Sequence, residues 1–514
     1  MKLIFRILLL IVSGAFVLEL SSCKKTLDNL ASYNVNENQP LKASSPTLLT
    51  AAEFSGVMAD EGSFISATSA INGGGDGDGF FGIFNGHMAG NHAQGVDFNQ
   101  YILKHGDFQF LFNDAYATSL MNLKLLILNA LPNEGGFVGI AKILEAYQLG
   151  YLTSVYGDIP WSQALDVNKY PQPKYDAQLA IYDTVQTFLS EGIAWIKAAK
   201  ASSTSTAITG DIIYNGDLGM WTAAAYLLKA RFYNHFSKKD PTGSATSALL
   251  MVDSAKLAGF TANGDAGNFT LPYDGLTQYT QNPWYGMYAN GMLVANLPFL
   301  DSLMSQNDPR LNAYFSSIDG VGGSNTFGLG KVISGNVGTG KYMQVGPDKW
   351  SYYGQATSGE LLATYPELLM IEAEAAFRLG NTTRAATAHN AAVTDQINTV
   401  LSLPASLAAD KAKVAAYVAK YASETSGSIT LEKIMTEKHK LMFTLEGESW
   451  MDVRRTDYKY PSWLTIPVAN DTIPSPVPVA ASFIQRVLYP QSELDKNTTN
   501  VPAATIFDKI PILQ

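Results

Sequence analysis

Cysteine is nearly absent: Cys23 is the sole thiol in 514 residues. One thiol excludes an internal disulfide framework, a cysteine-based zinc site and an iron–sulfur cluster. Charge is scarce as well. Charged side chains make up 16% of the chain, with 45 acidic against 35 basic and a net charge of −10. A chain of that balance lacks the basic face that general nucleic-acid binding requires. Histidines number only six. Of these, His87 and His92 lie five apart in a Gly-rich stretch, the wrong spacing for a helical metal pair. Neither His-Glu-x-x-His nor Gly-x-Ser-x-Gly occurs, so the common zinc-hydrolase and serine-hydrolase signatures are missing. Beyond the first 22 residues no stretch approaches the roughly 18 uncharged apolar residues of a membrane helix. What is present is a hydrophobic content of 46%, which suffices for a sizeable core and excludes wholesale disorder. The length exceeds one compact core and suits several packed lobes or a helical array. Tyr, Phe and Trp together reach 11% and glycine 43 residues, a composition that suits polar-aromatic contacts at a surface.

Two Gly-rich segments come close to known ligand loops and fail on chemistry. Gly335 to Lys341 fits the opening of a P-loop, but Tyr342 stands where Ser or Thr must meet Mg²⁺. Met343 to Pro347 is a poor start for the helix that would hold phosphate. The run Gly73 to Gly79, with Asp76 and Asp78, hints at a calcium loop. The twelfth position counted from Asp76 is His87, where an EF-hand needs a bidentate Glu. A flexible loop explains the run, with a weak calcium site as the alternative. No metal ligand set and no cofactor is assigned from the sequence.

The amino terminus reads as a targeting segment. Lys2 and Arg6 supply positive charge, and Ile7 to Leu18 supply a short apolar stretch. Twelve helical residues span about 18 Å, short of a ~30 Å hydrocarbon core. The expectation is therefore a signal peptide over residues 1–22. Leu20-Ser21-Ser22-Cys23 has the form of a bacterial lipobox, which makes Cys23 the expected lipidation site. Two or three acyl chains hold a protein on a bilayer where one does not. Residues 23–40, polar and Asn-rich, read as a flexible tether.

Helical periodicity follows in several segments. Asn113 to Leu131, Phe137 to Tyr156, Tyr175 to Lys200, Asp217 to Phe236, Tyr365 to Leu379, Thr382 to Leu401 and Ile429 to Leu445 are the predicted helices. In the second of these, Ile140, Ile143, Leu144, Tyr147 and Tyr151 follow helical spacing. Ala373, Gly380, Ala385 and Ala392 stand seven, five and seven apart, the small-residue spacing of a tetratricopeptide repeat, with Gly380 in the turn. An ordinary helical hairpin explains those residues equally well. Between the helices lie Gly-, Asn- and Tyr-rich loops around 73–95, 259–291 and 320–359, long enough to suggest function.

Those loops carry the aromatics. Phe80, Phe81 and Phe84 follow the first Gly run; Tyr273, Tyr279, Trp284, Tyr285 and Tyr288 cluster in the second loop; Trp350, Tyr352 and Tyr353 lie in the third. A flat ring stacks on the C–H face of a sugar, and the neighbouring Gln281, Asn282, Asn290, Asp348, Lys349 and Gln355 bear groups that bond hydroxyls. The candidate ligand-binding residues are Phe81, Tyr279, Trp284, Tyr285, Trp350, Tyr352 and Tyr353. For each ring taken singly, packing of loop on helix is the commoner role. Near the C-terminus, Trp450-Met451-Asp452-Val453-Arg454-Arg455 reads as an ion-pair network joining helix to loop, with ligand contact as the alternative. No catalytic residue is assigned.

At these residues the chain resembles the SusD/RagB-like outer-membrane lipoproteins, most closely the branch described as starch-binding associated with the outer membrane. The landmarks run in order from the lipobox at Cys23 through Ala141 to Tyr147, Tyr156 to Leu165, Pro173 to Asp176 and Asp211 to Asp217 with Trp221. They continue with Asn307 to Leu311, Tyr365 to Leu368, Glu372 to Ala375, Glu448 to Trp450 with Arg454 and Arg455, and Arg486 to Pro490 with Glu493 and Asn497. The resemblance implies a mainly α fold, a superhelix of divergent tetratricopeptide-like hairpins plus a loop-rich ligand-binding part, in one domain over residues 41–514. It implies a non-catalytic nutrient-binding lipoprotein that captures oligosaccharides, or in some branches peptides. The partner it implies is a TonB-dependent SusC-like transporter. It further implies an outer-membrane location, lipid-anchored and facing the exterior. Lys24-Lys25 stand where relatives often carry acidic export residues. The competing readings are peptide cargo, a glycoside hydrolase, which needs two carboxylates about 5–10 Å apart in one cleft, and a pure helical-repeat scaffold.

Overall fold

The computed structural model describes residues 43–61, 78–90, 94–261, 267–277, 280–285, 293–315, 317–318, 326–327, 352–402, 411–464 and 482–514. Cys23 with its lipobox, residues 73–77 of the Gly/Asp run and the P-loop-like segment 335–347 lie outside them. The helices that matter below are Ser45–Glu61 (α1), Asp78–Asn85 (α2), Met121–Asn129 (α3), Gly135–Tyr156 (α4), Gln178–Ala201 (α5), Leu218–His235 (α6) and Pro241–Leu257 (α7). They continue with Leu297–Ser305 (α8), Tyr365–Arg378 (α9), Thr382–Ser402 (α10), Lys411–Tyr421 (α11), Leu431–Leu441 (α12) and Glu446–Arg455 (α13). The fold is mainly α, as the resemblance implies.

Helix ends follow from local chemistry. Asp217 caps α6 by accepting from the Gly219 and Met220 N–H groups. Asp240 caps α7, whose first residue is Pro241, a position where the missing N–H costs nothing. Thr364 and Glu367 form a reciprocal capping box on α9. Three predicted boundaries differ. Tyr175–Asp176 is a short strand (β3) paired with Ile159–Pro160 (β2), so α5 begins only at Gln178. Residues 115–120 widen into a π-helical turn ahead of α3. Residues after Leu441 form a turn, with Thr444 at φ +70°, before α13 starts, so the Trp450–Arg455 motif lies on a helix of its own.

Helix α4 is the centre of this arrangement. All of its residues except Gly135 and Lys142 are buried, so the apolar stripe seen in sequence is one side of a helix covered on every side. Its partner α5 lies close: a Cβ on Gly192 would stand 2.8 Å from the Gly139 carbonyl. The pairs α4/α5, α6/α7 and α9/α10 are helical hairpins packed one on the next. In the last of them Ala373, Ala385 and Ala392 are fully buried where the helices approach, and Gly380 turns the chain at φ +77°.

Two small ribbons root the loops. Met88–Gly90 (β1) pairs antiparallel with Leu293–Ala295 (β5). Beside a two-residue ribbon of Ser317–Ile318 (β6) and Thr326–Phe327 (β7), Phe269–Leu271 (β4) pairs with Glu360–Ala363 (β8), with a register shift after Phe269. The first ribbon ties the first loop to the end of the second. The second ribbon ties the start of the second loop's aromatic segment to the end of the third. Residues 45–514 form one compact unit.

Candidate functional site

The second and third loops are fastened to each other. The Asn282 N–H donates to the Ala356 carbonyl at 3.0 Å. The Asn282 side-chain amide donates to the Ser358 carbonyl at 3.1 Å and to Glu360 Oε2 at 2.9 Å. Trp284 Nε1 donates to the other Glu360 oxygen at 3.0 Å. Glu360, the first residue of β8, is 1% exposed, so both carboxylate oxygens are spent on holding the loops. Sequence reasoning missed it, because it falls one residue beyond the loop as delimited. The available signal was an acid opening an otherwise apolar strand, Glu360-Leu361-Leu362-Ala363.

The predicted aromatics divide by burial. Phe81 has no exposed surface; its ring stacks between Trp450 at 5.0 Å and Phe108 at 5.4 Å. Trp284 is 1% exposed and Tyr353 5%. Tyr353 packs by its edge on Tyr352, centroids 5.1 Å apart, and lies 5.8 Å from Tyr314. These three rings face protein as folded, because desolvating a large ring against other rings is worth more than leaving it wet. Tyr285 and Tyr352 are only half-buried, and both stand on the fastened loop pair. Gln281 and Gln355, also half-buried, lie beside them in the chain. Tyr279 and Trp350 lie outside the described residues.

The motif residues do other work. Asp211 gathers the Ile213, Tyr214 and Gly216 N–H groups and the Trp221 indole N–H at 2.7–3.0 Å, stapling the turn before α6. Arg310 meets Asp308 at 2.6 Å, Tyr417 at 2.7 Å and Glu437 at 2.9 Å, all buried. Arg455 grips Glu374 with two nitrogens and also bonds Asp452. Burial opposes charge on Glu374, yet Arg455, Arg378 and Lys438 hold its carboxyl far below the ordinary range. Arg454 lies over the Trp450 ring at 3.9 Å and donates to the Gln485 carbonyl at 3.0 Å. The Trp450–Arg455 motif is thus a buried ion-pair and stacking network. Among the described residues no group of His, Cys, Asp and Glu is arranged to hold a metal ion.

Comparison with known proteins agrees with this picture. The family model described as starch-binding associating with outer membrane, SusD-like, matches residues 78–483. No curated protein matches the chain. Among solved structures, a Bacteroidetes SusD-like protein superposes with a TM-score of 0.69 at 18% identity, over 91% of this chain and 99% of that one. A SusD/RagB family protein from Bacteroides thetaiotaomicron gives 0.62 at 21%, over 89% and 95%. A chitin-binding SusD homologue from Flavobacterium johnsoniae gives 0.64 at 17%, over 88% and 94%. The scaffold of stacked helical hairpins is the fold of those structures, and the matched family's description gives the class, nutrient-binding proteins associated with the outer membrane. Within that class the chain belongs to the SusD-like family. No helix among the described residues is long and apolar enough to cross a membrane.

Proposed function

We propose that this protein is a non-catalytic, lipid-anchored saccharide-binding protein that captures oligosaccharides at the fastened loop pair. It passes them to a TonB-dependent SusC-like transporter in the outer membrane, with Cys23 as the lipid attachment site and the loops facing the exterior. The observation that carries the reading is the Asn282–Glu360–Trp284 clamp, which joins two aromatic loops and leaves Tyr285 and Tyr352 half-exposed on them. Rigid aromatic platforms with amide neighbours suit sugar rings, which present C–H faces and hydroxyls together. The carboxylate bonded to this cluster, Glu360, is buried and occupied by two donors, which supports binding without acid–base chemistry.

Calorimetry with chitooligosaccharides, maltooligosaccharides and a peptide pool tests the reading, with chromatography of the recovered ligands. Saccharide binding without cleavage is expected, and Tyr285→Ala or Tyr352→Ala weakens it roughly two- to tenfold, the worth of one aromatic contact. Binding of peptides alone, or the appearance of shortened saccharides, would overturn it.

A further inference from the structure

One end of the helical scaffold is apolar where it meets solvent. Helix α3 buries Leu123 and Leu126 against its neighbours α1 and α4. Its outer side nevertheless carries Leu125 at 39% and Leu128 at 68% exposure, and Leu131, in the turn that follows, is 60% exposed. Leu125 and Leu128 stand three apart and share a face. Trp195, near the end of α5 and 45% exposed, lies alongside. A Cβ on Gly135, at the start of α4, would stand 3.2 Å from its ring. Single exposed leucines are ordinary, but a cluster of four large apolar side chains marks a surface that something covers. A helix that is apolar on opposite sides points the same way.

Two observations say what covers it. The first is where the chain enters. Helix α1 starts at this same end: Ser45 Oγ donates to Glu134 Oε2 at 2.8 Å, and that oxygen also accepts from the Leu131 N–H at 2.8 Å. Cys23, the proposed lipid attachment site, stands only 22 positions ahead of Ser45, a reach of at most about 75 Å. Acyl chains on Cys23 therefore tie the molecule to a bilayer from the end that carries the leucines.

The second is the composition of the face. Lys197 and Lys200 are exposed on the last turns of α5, close to Trp195 in the chain. Glu191, one turn earlier, is answered by Lys142 at 3.4 Å. Lysine is depleted at protein–protein interfaces, and leucine is rare among the residues that carry their affinity. At a lipid surface the same set fits. Leucines enter the acyl boundary, a tryptophan ring sits at headgroup level, and lysine stems lie along apolar surface while their ammonium groups meet phosphates.

We propose that this end of the scaffold docks on the lipid surface to which the protein is anchored. Leu125, Leu128, Leu131 and Trp195 enter the headgroup boundary, and Lys197 and Lys200 meet lipid phosphates. The anchor then orients the body on the membrane as well as holding it there. The position of the anchor rests on the lipidation of Cys23; the composition of the face does not.

Tryptophan quenching tests it. The full protein, purified from membranes, is reconstituted in vesicles of phosphatidylethanolamine and phosphatidylglycerol that carry a lipid brominated just below the headgroup. The mass of the amino-terminal peptide reports acylation of Cys23 separately. Quenching is expected in the unaltered protein, with at least half of it lost in Trp195→Phe and in Leu128→Gln/Leu131→Gln. An unacylated Cys23 would remove the lipidation reading alone. The same protein added to the vesicles from solution still decides this one, since Leu128→Gln/Leu131→Gln is then expected to need roughly tenfold more lipid for half-maximal quenching, the effect of about 1.4 kcal/mol. Quenching that is equal in Trp195→Phe and the unaltered protein would overturn the proposal. So would Trp195 emission that follows protein concentration without lipid, which would make the face a contact between proteins.

Discussion

His87 and Glu446 are both fully buried and share one proton. His87 Nε2 stands 2.8 Å from the His439 carbonyl, so that nitrogen carries a hydrogen. Its Nδ1 meets Glu446 Oε2 at 2.5 Å. Burial pushes the Glu446 carboxyl up to about 8, against the pull of hydrogen bonds from Asn85 and Thr444. It pushes the imidazole down to about 3. The pair is accordingly neutral, with the carboxylic acid donating to Nδ1. For Glu446 the folded state keeps a proton that the unfolded chain loses above about 4.5, so its contribution to stability falls from pH 4.5 to 8. For His87 the unfolded chain binds the extra proton between pH 3 and 6.5, so its contribution rises there. The two cancel between pH 4.5 and 6.5, leaving a net fall between 6.5 and 8 of at most about 1.4 kcal/mol per pH unit. In Glu446→Gln the amide donates to Nδ1 instead, at the cost of the Asn85 contact, and nothing titrates above 6.5. Urea unfolding of both proteins across this range checks the slope. A stability difference between them that stays level from pH 6.5 to 8 would rule out a buried acid. The same scale explains why single site residues were hard to read. Phe81 and Tyr352 look alike in a list of loop aromatics. What separates them is tertiary: Phe81 is enclosed between Trp450 and Phe108 while Tyr352 is half-buried, and the phenol does not decide it, since Tyr353 beside it is buried.

At the scale of elements, the close approach of α4 and α5 rests on residues that have no side chain. A methyl on Gly192 would stand 2.8 Å from both the Gly139 carbonyl and Ile143 Cγ1. Backbone cannot yield as a flexible side chain can, so Gly192→Ala is expected to cost about 1–3 kcal/mol, the usual penalty of overpacking. Gly380→Ala meets open space, and its cost is only that of holding alanine at φ +77°, about 1 kcal/mol. Thermal unfolding of the two variants should order them this way; equal losses would show that the helices move apart freely. The long helices were legible because α9, α10 and α6 show periodicity with small or capping residues at their ends. Several others were not. Ser45–Glu61 lacks a contrasting polar face, Lys411–Tyr421 is only three turns long, and Pro241–Leu257 announced itself only through Asp240 and Pro241. The central position of α4 was invisible, since a window finds the strongest stripe of a helix even when every side is buried. The pairing of β4 with β8 joins residues about ninety positions apart, beyond the reach of any local pattern. The candidate site depends on that pairing.

Across the whole molecule, the motif order that carried the family resemblance turns out to be a set of buried fasteners. Arg231 of α6 holds Glu367 of α9 at 2.6 Å; His235 of α6 holds Glu448 of α13 at 2.8 Å. Lys438 of α12 meets Asp452 of α13 at 2.8 Å, and Arg455 of α13 closes on Glu374 of α9. These side chains are almost wholly desolvated, so the network ties the consecutive helices α12 and α13 to α6 and α9, which are remote from them in sequence, and fixes which surfaces meet. Each residue type was readable in advance, but not its partner, since the partners lie from 14 to 213 positions apart. Replacing Arg455 by Met keeps the volume of the stem but strands Glu374 beside Arg378 and Lys438. Removing one partner of a buried pair costs about 3–5 kcal/mol, chiefly through the charge left behind. Arg455→Met/Glu374→Leu removes both charges and should recover most of that loss while Lys438 keeps Asp452. Neither change touches Tyr285 or Tyr352, so the folded fraction of each variant should bind saccharide as tightly as the unaltered protein. Denaturant unfolding and calorimetry on the same samples separate the two properties. A double variant no more stable than Arg455→Met would show that the charges act through other neighbours. A fall in affinity per folded molecule would move the motif from scaffold to site.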